Sequence, residues 1–234
     1  MRSVRKRTPL KERTLPEYTR GEEIMNMVTH IAGGAFALAA AVLLIVCAAS
    51  YSNAWGVVSG AVYAGSMLLV FVISSVYHGM KVSTGKLVLR VLDHCDIFFL
   101  IAGTYTPILL TGIRLSSPVL AWVIFGIEWG SAALGVVLNA IDLKKYDRLS
   151  MVCYLVMGWC IVICIPAAIK ALTLTGFFFL LGGGVAFSIG ALCYRIGRKK
   201  RYIHSVFHIF VVIGAVLQFI SIWLYLFRPE ILER

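Results

Sequence analysis

IMNMVTHIAGGAFALAAAVLLIVCAASYSNAWGVVSGAVYAGSMLLVFVISSVYHGM, residues 24–80, contains no lysine, arginine, aspartate or glutamate. One membrane crossing takes roughly 20 mostly apolar residues, so this run is too long for a single span. The polar turn Ser50-Tyr51-Ser52-Asn53 divides it, which places spans at about 24–49 and 54–79. Beyond it, charged positions cut the chain into further apolar stretches of spanning length. These predict helices at about 86–111, 117–138, 149–169, 173–194 and 203–227, with the Arg114 to Pro118 turn between the third and fourth. The expected fold is therefore all-α, a polytopic bundle of seven transmembrane helices over 24–228. A basic tail, 1–23, precedes it and a short tail, 229–234, follows.

Composition agrees. The chain has 234 residues, 60% of them apolar and 14% charged, where soluble domains run about 45–50% and about 25%. Mean hydropathy is +0.88. The six cysteines lie inside apolar stretches without a CxxC pair, which speaks against a disulfide framework or a zinc knuckle and for small buried hydrophobes. The first 23 residues are polar and charged with no A-x-A site, so they read as a flexible tail and not as a cleaved signal peptide.

A formal charge of +11 would ordinarily suggest nucleic acid, but its placement points to the membrane. Seven basic residues precede the first span: Arg2, Arg5, Lys6, Arg7, Lys11, Arg13 and Arg20. On the same side follow Lys81, Lys86 and Arg90, then Lys144, Lys145 and Arg148, then Arg195, Arg198, Lys199, Lys200 and Arg201. Only Arg114, Lys170, Arg228 and Arg234 fall on the other side. Basic residues near span ends stay in the cytoplasm, so the N-terminus is expected inside and the C-terminus outside, in a multi-pass plasma membrane protein. Anionic headgroups are the expected partners of these clusters, at about 1 kcal/mol per basic residue.

Ionisable groups inside spans are costly and mark function by default. With the topology laid over the chain, His30, His78, Asp93, His94, His204 and His208 all come near one membrane face. Asn26 with His30, Ser74 with His78 and His204 with His208 are each four apart, one above the other on a helix. A helical H-x-x-x-H pair plus His78 supplies three imidazoles and leaves a tetrahedral position open, the arrangement of catalytic zinc. Asp93 can then bind the water, act as its base or orient a ligand. Ser74, one turn deeper, can hydrogen-bond a water or a carbonyl. His30 either lines the same cavity with Glu22, Glu23 and Asn26 or makes a closing hydrogen bond. Asp96 either faces the cavity too or pairs with a basic side chain. His94, rotated by about 100° from Asp93, reads as a helix-end residue. Glu128 has no visible partner, and Thr104-Tyr105-Thr106-Pro107 predicts a kink repaired by hydroxyls. The glycine pairs Gly56/Gly60 and Gly126/Gly130 permit close helix contact.

The chain resembles the hemolysin III family, a bacterial branch of the progestin and adipoQ receptor superfamily. The likeness is carried by Glu23-x-x-Asn26-x-x-x-His30, Ser74-Ser75-Val76-Tyr77-His78, Leu92-Asp93-His94 running on through Ala102-Gly103-Thr104-Tyr105-Thr106-Pro107, Met157-Gly158-Trp159 and His204-Ser205-Val206-Phe207-His208. The resemblance implies a seven-helix bundle with a zinc ion near the cytoplasmic face, His78, His204 and His208 as ligands, and Asp93 and Ser74 beside the bound water. It also implies a part in membrane homeostasis. Because the superfamily includes alkaline ceramidases, lipid amide or acyl hydrolysis is its implied chemistry. Two departures stand out: Asp96 replaces a small or hydroxyl residue, and Glu128 interrupts an apolar helix. Two other classes compete with the hydrolase. One is a non-enzymatic sensor braced by structural zinc. The other is a pore, against which the scarcity of ionisable groups in the outer halves of the spans argues.

Overall fold

The structure, a computed structural model, describes residues 8–197 and 200–232. Arg2, Arg5, Lys6, Arg7, Arg198, Lys199 and Arg234 lie outside the described residues.

Helix α1 (Arg20–Tyr51) opens on a capping box in which Thr19 Oγ1 accepts from the Glu22 N–H and Glu22 Oε2 accepts from the Thr19 N–H. The polar turn read at 50–53 reverses the chain: Asn53 caps α2 (Ala54–Gly79) by accepting from the Trp55 N–H at 3.0 Å. Ser83 caps α3 (Thr84–Pro107) in the same way, accepting from the Lys86 N–H. The long helices α4 (Pro118–Gly158), α5 (Ile165–Gly197) and α6 (Ile203–Ile222) follow, then the single turn α7 (Pro229–Leu232). Neighbours in sequence pack together from α1 to α4, α5 packs on α6, and α1 closes on α6.

Among the described residues, five helical tracts are long and apolar enough to cross a membrane. One of them, Pro118–Gly197, has 80 residues. At 1.5 Å per residue it would reach about 120 Å, several times the roughly 30 Å of a bilayer core. It does not run straight. Asp142 leaves helical geometry at φ −160°, ψ 96°, a 3-10 segment occupies Cys160–Cys164, and Thr173 sits at φ 62°, ψ 169°. The last is a left-handed φ on a β-branched residue, a conformation held only by surrounding structure.

Backbone groups freed by such irregularities find little water in lipid and must be met internally. The kink expected at Pro107 takes the form of a π-helical turn over Ile108–Gly112. Thr111 Oγ1 donates back to the Pro107 carbonyl at 2.7 Å, and Thr106 Oγ1 donates to Ala102 O while accepting from Trp129 Nε1. At the end of α4, Tyr105 does the same across helices. Its hydroxyl donates to Gly158 O at 3.1 Å and accepts from the Ile161 N–H at 2.7 Å.

Lipid tails are as apolar as leucine, so association of spans rests on close packing more than on burial. Gly33 shows how: a Cβ there would stand 2.5 Å from the Phe71 ring, so glycine is what lets α2 seat Phe71 against α1. Gly60 packs similarly under Phe227. The other expected pair behaves differently, since a Cβ at Gly126 or Gly130 would meet nothing within 4 Å among the described residues. Gly56 faces only Ser52 of its own entry turn. At the end of the bundle away from the histidines, Arg114 lies 4.3 Å over the Trp55 ring, which meets Trp122 edge-on, in keeping with an interfacial aromatic belt.

The N-terminal segment differs from the flexible tail expected. Residues 8–19 form a strap across the end of the bundle where α1 begins. The Thr8 N–H donates to Asp142 Oδ2 at 3.1 Å, Arg13 Nη2 to Ile141 O at 2.7 Å, and Arg90 Nη1 to Thr14 O at 2.6 Å. The non-helical backbone at Asp142 leaves its carboxylate free to accept from both Thr8 and Lys145. Sequence reasoning counted these basic residues for the membrane surface and had no signal for such anchors.

Tyr105→Phe removes both hydrogen bonds at the helix break and leaves the Ile161 N–H unmet. A loss of about 1–3 kcal/mol is expected. It is read as a fall in Tm of about 2–4 °C per kcal/mol in detergent-solubilised protein, whereas Tyr51→Phe, at an exposed helix end, should leave Tm unchanged.

Candidate metal centre

Three histidines from two helices converge at the strap end of the bundle. His204 and His208 stand one turn apart on α6, with Nε2 atoms 3.0 Å from each other. His78, on the last turn of α2, faces both. One ring nitrogen from each of the three lies within 4.8 Å of the others, and all three side chains are buried. Two nitrogens bound tetrahedrally at about 2.0–2.1 Å stand about 3.3 Å apart, close to the separation of the α6 pair. His78 Nε2 has no hydrogen-bond partner among the described residues. A buried imidazole nitrogen left open beside two others fits a cation better than it fits a packed core.

The opposite nitrogen of His78 is held firmly. Nδ1 donates to Glu23 Oε2 at 2.6 Å, and Glu23 Oε1 accepts from Lys86 Nζ, also at 2.6 Å. Lys86 Nζ also donates to Met80 O, and its side chain is 5% exposed, so a residue that reads as a loop charge is a buried clamp. Because a carboxylate only accepts, this contact puts the His78 proton on Nδ1 and turns the lone pair of Nε2 toward the α6 pair. Asn26 fills the corner between the three helices. It is fully buried, its amide nitrogen lies 3.4 Å from His78 Nδ1, and its oxygen accepts from Ser205 Oγ at 2.6 Å. Glu22 ties the two helix starts together by accepting from the Tyr202 N–H at 2.8 Å, where Tyr202 takes a left-handed conformation ahead of α6.

An internal cavity of about 150 Å³ opens from the histidines into the bundle. His30, Ser74, Asp93, His204 and His208 line its polar end, and its walls further in are mostly apolar, among them Leu100, Ile101 and Val211. The strap closes the other side of the centre. Tyr18 stacks on His204 with ring centroids 4.9 Å apart and planes 20° from parallel, and burial pushes its phenol pKa up, which keeps it neutral.

The structure thus brings together Glu23, Asn26, His30, Ser74, His78, Asp93, His204 and His208. It does not bring Asp96 to the cavity wall: that carboxyl is buried and neither oxygen is hydrogen-bonded, so the alternative of a basic partner is not realised among the described residues. Glu128 is fully buried, and the Cys160 thiol is the polar group beside its carboxyl. His94 sits on the cavity wall with Nδ1 at Arg90 O and Nε2 at the Tyr194 hydroxyl, hydrogen-bonded as expected but ten residues into α3 and not at a helix end. Lys86, Ser205 and Tyr18 escaped the sequence reading. Ser205 lies within the His204 to His208 segment and could have been found there.

The family model described as "Haemolysin-III related" matches residues 18–219. The chain is 35% identical to "Hemolysin-3" of Bacillus cereus over 204 residues, 87% of this chain and 91% of that one. It is also 35% identical to the "Hemolysin-3 homolog" of Bacillus subtilis (strain 168) over 216 residues, 92% of this chain and 100% of that one. The human "Monocyte to macrophage differentiation factor" is 26% identical over 186 residues, 75% of this chain and 74% of its own. No solved structure matches. The chain belongs to the haemolysin-III-related family and is a multi-pass bacterial membrane protein.

If the Glu23 carboxylate sets the His78 ring, Glu23→Ala, which removes the acceptor at His78 Nδ1, lowers zinc affinity by about 10–100-fold, the usual effect of losing a hydrogen-bond partner behind a metal ligand. Competition with a chromogenic chelator measures it, and affinity equal to wild type would reject the role.

Proposed function

We propose that this haemolysin-III-related chain is a seven-span membrane protein that binds zinc through His78, His204 and His208 and hydrolyses an acyl lipid in membrane homeostasis. The observation that carries the reading is a three-imidazole cluster that meets an apolar cavity through His204 and His208, at a polar end that also holds Asp93 and Ser74. The backbone breaks at Asp142 and Thr173 support seven crossings, since they divide Pro118–Gly197 into pieces of spanning length. The basic clusters support a cytoplasmic N-terminus, with 24–228 as the bundle and 229–234 outside.

When bound, zinc lowers the pKa of a coordinated water toward about 7 and polarises a carbonyl. The chain's own groups do the rest. Glu23 and Lys86 fix the tautomer of His78. Asp93, on the cavity wall, accepts a proton at its carboxylate and returns it to the leaving group. Ser74 Oγ, buried and without a hydrogen-bond partner among the described residues, donates to the carbonyl oxygen of a substrate. The apolar walls exclude bulk water and seat an acyl chain.

A second reading has its own support. His78 lies on α2 and its partners on α6, so a bound ion would join two helices as a brace without turnover.

Metal analysis and lipid assays separate the two. Wild type is expected to hold one zinc and to release fatty acid from at least one lipid of a ceramide and phospholipid panel. His204→Ala/His208→Ala should hold none, while Asp93→Ala keeps the metal and loses release. Equal metal in wild type and the double variant would reject the centre. Metal without release from any lipid, together with a Tm that falls on chelation, would favour the brace. For orientation, a periplasm-active reporter fused after Arg234 is expected to be active, and an inactive one would reverse the topology.

A further inference from the structure

His30 has no part in the reading above, yet it stands at the centre of the polar end. It is 3% exposed, and both its ring nitrogens lack a hydrogen-bond partner among the described residues. It is not one of the three histidines whose nitrogens converge. Its ring packs against His208 at 3.9 Å between centroids and meets Phe71 edge-on at 5.2 Å, and it lines the cavity. Ser74 repeats the pattern on α2, being 2% exposed, unpartnered and on the same wall. The two are matched in depth. His30 lies one turn inside Asn26 on α1, and Ser74 lies one turn inside His78 on α2. The layer of three imidazoles therefore has two open hydrogen-bonding groups on its inner side, where the cavity continues toward apolar walls.

Buried polar groups are seldom left without a partner, and a neutral imidazole presents one N–H donor and one lone pair. A plain alkyl chain beside His30 leaves both unmet. A carboxylate meets only the donor. A head that carries a carbonyl oxygen together with an N–H or O–H meets both. We infer that His30 is a binding residue for the polar head of the cavity's occupant, an acyl lipid with both a carbonyl and a donor group, and that it works with Ser74 on the inner side of the metal layer. This inference rests on the proposed function and deepens it by assigning the contact that selects the occupant.

The test uses full-length protein in nanodiscs, zinc-loaded and chelator-stripped, with radiolabelled N-oleoylethanolamine as probe and 1-octadecene as competitor. Wild type binds the probe, and octadecene displaces it poorly. His30→Phe, which keeps a ring of similar shape, weakens probe binding by about tenfold or more, and His30→Gln, which restores a donor and an acceptor, recovers most of it. Zinc content and Tm stay at wild-type values in both variants. Equal probe binding by wild type and His30→Phe overturns the inference. So does a loss of zinc in His30→Phe, which would make His30 a ligand, and so does wild type that fails to bind the probe. Wild type that binds probe but never zinc rejects the metal centre separately, and the comparison between variants still decides the role of His30.

Discussion

Helix α1 carries Glu23, Asn26 and His30 on one face, and the polar end of the molecule is organised by what those three side chains reach. Glu23 accepts a hydrogen bond from His78 Nδ1 on α2, Asn26 accepts from Ser205 on α6, and His30 packs on His208 one turn further along α6. In a region with little water, each polar group must be met by another group of the protein or by something it binds. A single helix face thereby sets the distance between α2 and α6, and the imidazole cluster is the product of that distance. The same requirement acts on the backbone, where Tyr105, Thr106 and Thr111 take up the groups released around Pro107 and Gly158.

The cavity owes its shape to those irregular segments. Ile108, at the start of the π turn, and Ile161, inside the 3-10 segment, both line it, and Tyr105 spans the gap between them. A regular helix in either place would present a different set of side chains to the interior. The hydrogen bonds of Tyr105 are thus at once backbone repair and the wall of the space into which the histidines open.

Much of this was legible in the sequence. Charges at the span ends delimit α1, α2, α3 and the start of α6 to within a few residues, but not the tract from Pro118 to Gly197, and the H-x-x-x-H spacing with His78 at matching depth is a geometric statement that survives any error of boundary. The grouping failed where a residue's role depends on a partner distant in sequence. Lys86 has the composition of a loop charge, and only the folded chain shows it clamped by Glu23, 63 positions away. The break at Asp142 has no glycine or proline to announce it, and the strap's anchor points 128 and 134 residues away cannot be read from local pattern. Asp96 follows Asp93 by three residues and is only about 60° from it around the helix, yet Asp93 lines the cavity and Asp96 does not, a difference that packing decides and spacing does not. Gly126 and Gly130 have contact spacing with nothing opposite them among the described residues.

The strap also bears on the order in which the molecule is built. Thr8 leaves the ribosome early, but Asp142, to which it ties, and His204, on which Tyr18 stacks, are made far later. Likewise His78 is inserted long before its two α6 partners exist. During synthesis the nascent bundle is consequently open at the histidine end until its last long helix arrives, and only then can residues 8–19 fold back over it. An ion taken up at that stage would be sealed beneath a segment translated before the helices it covers and docked only after them.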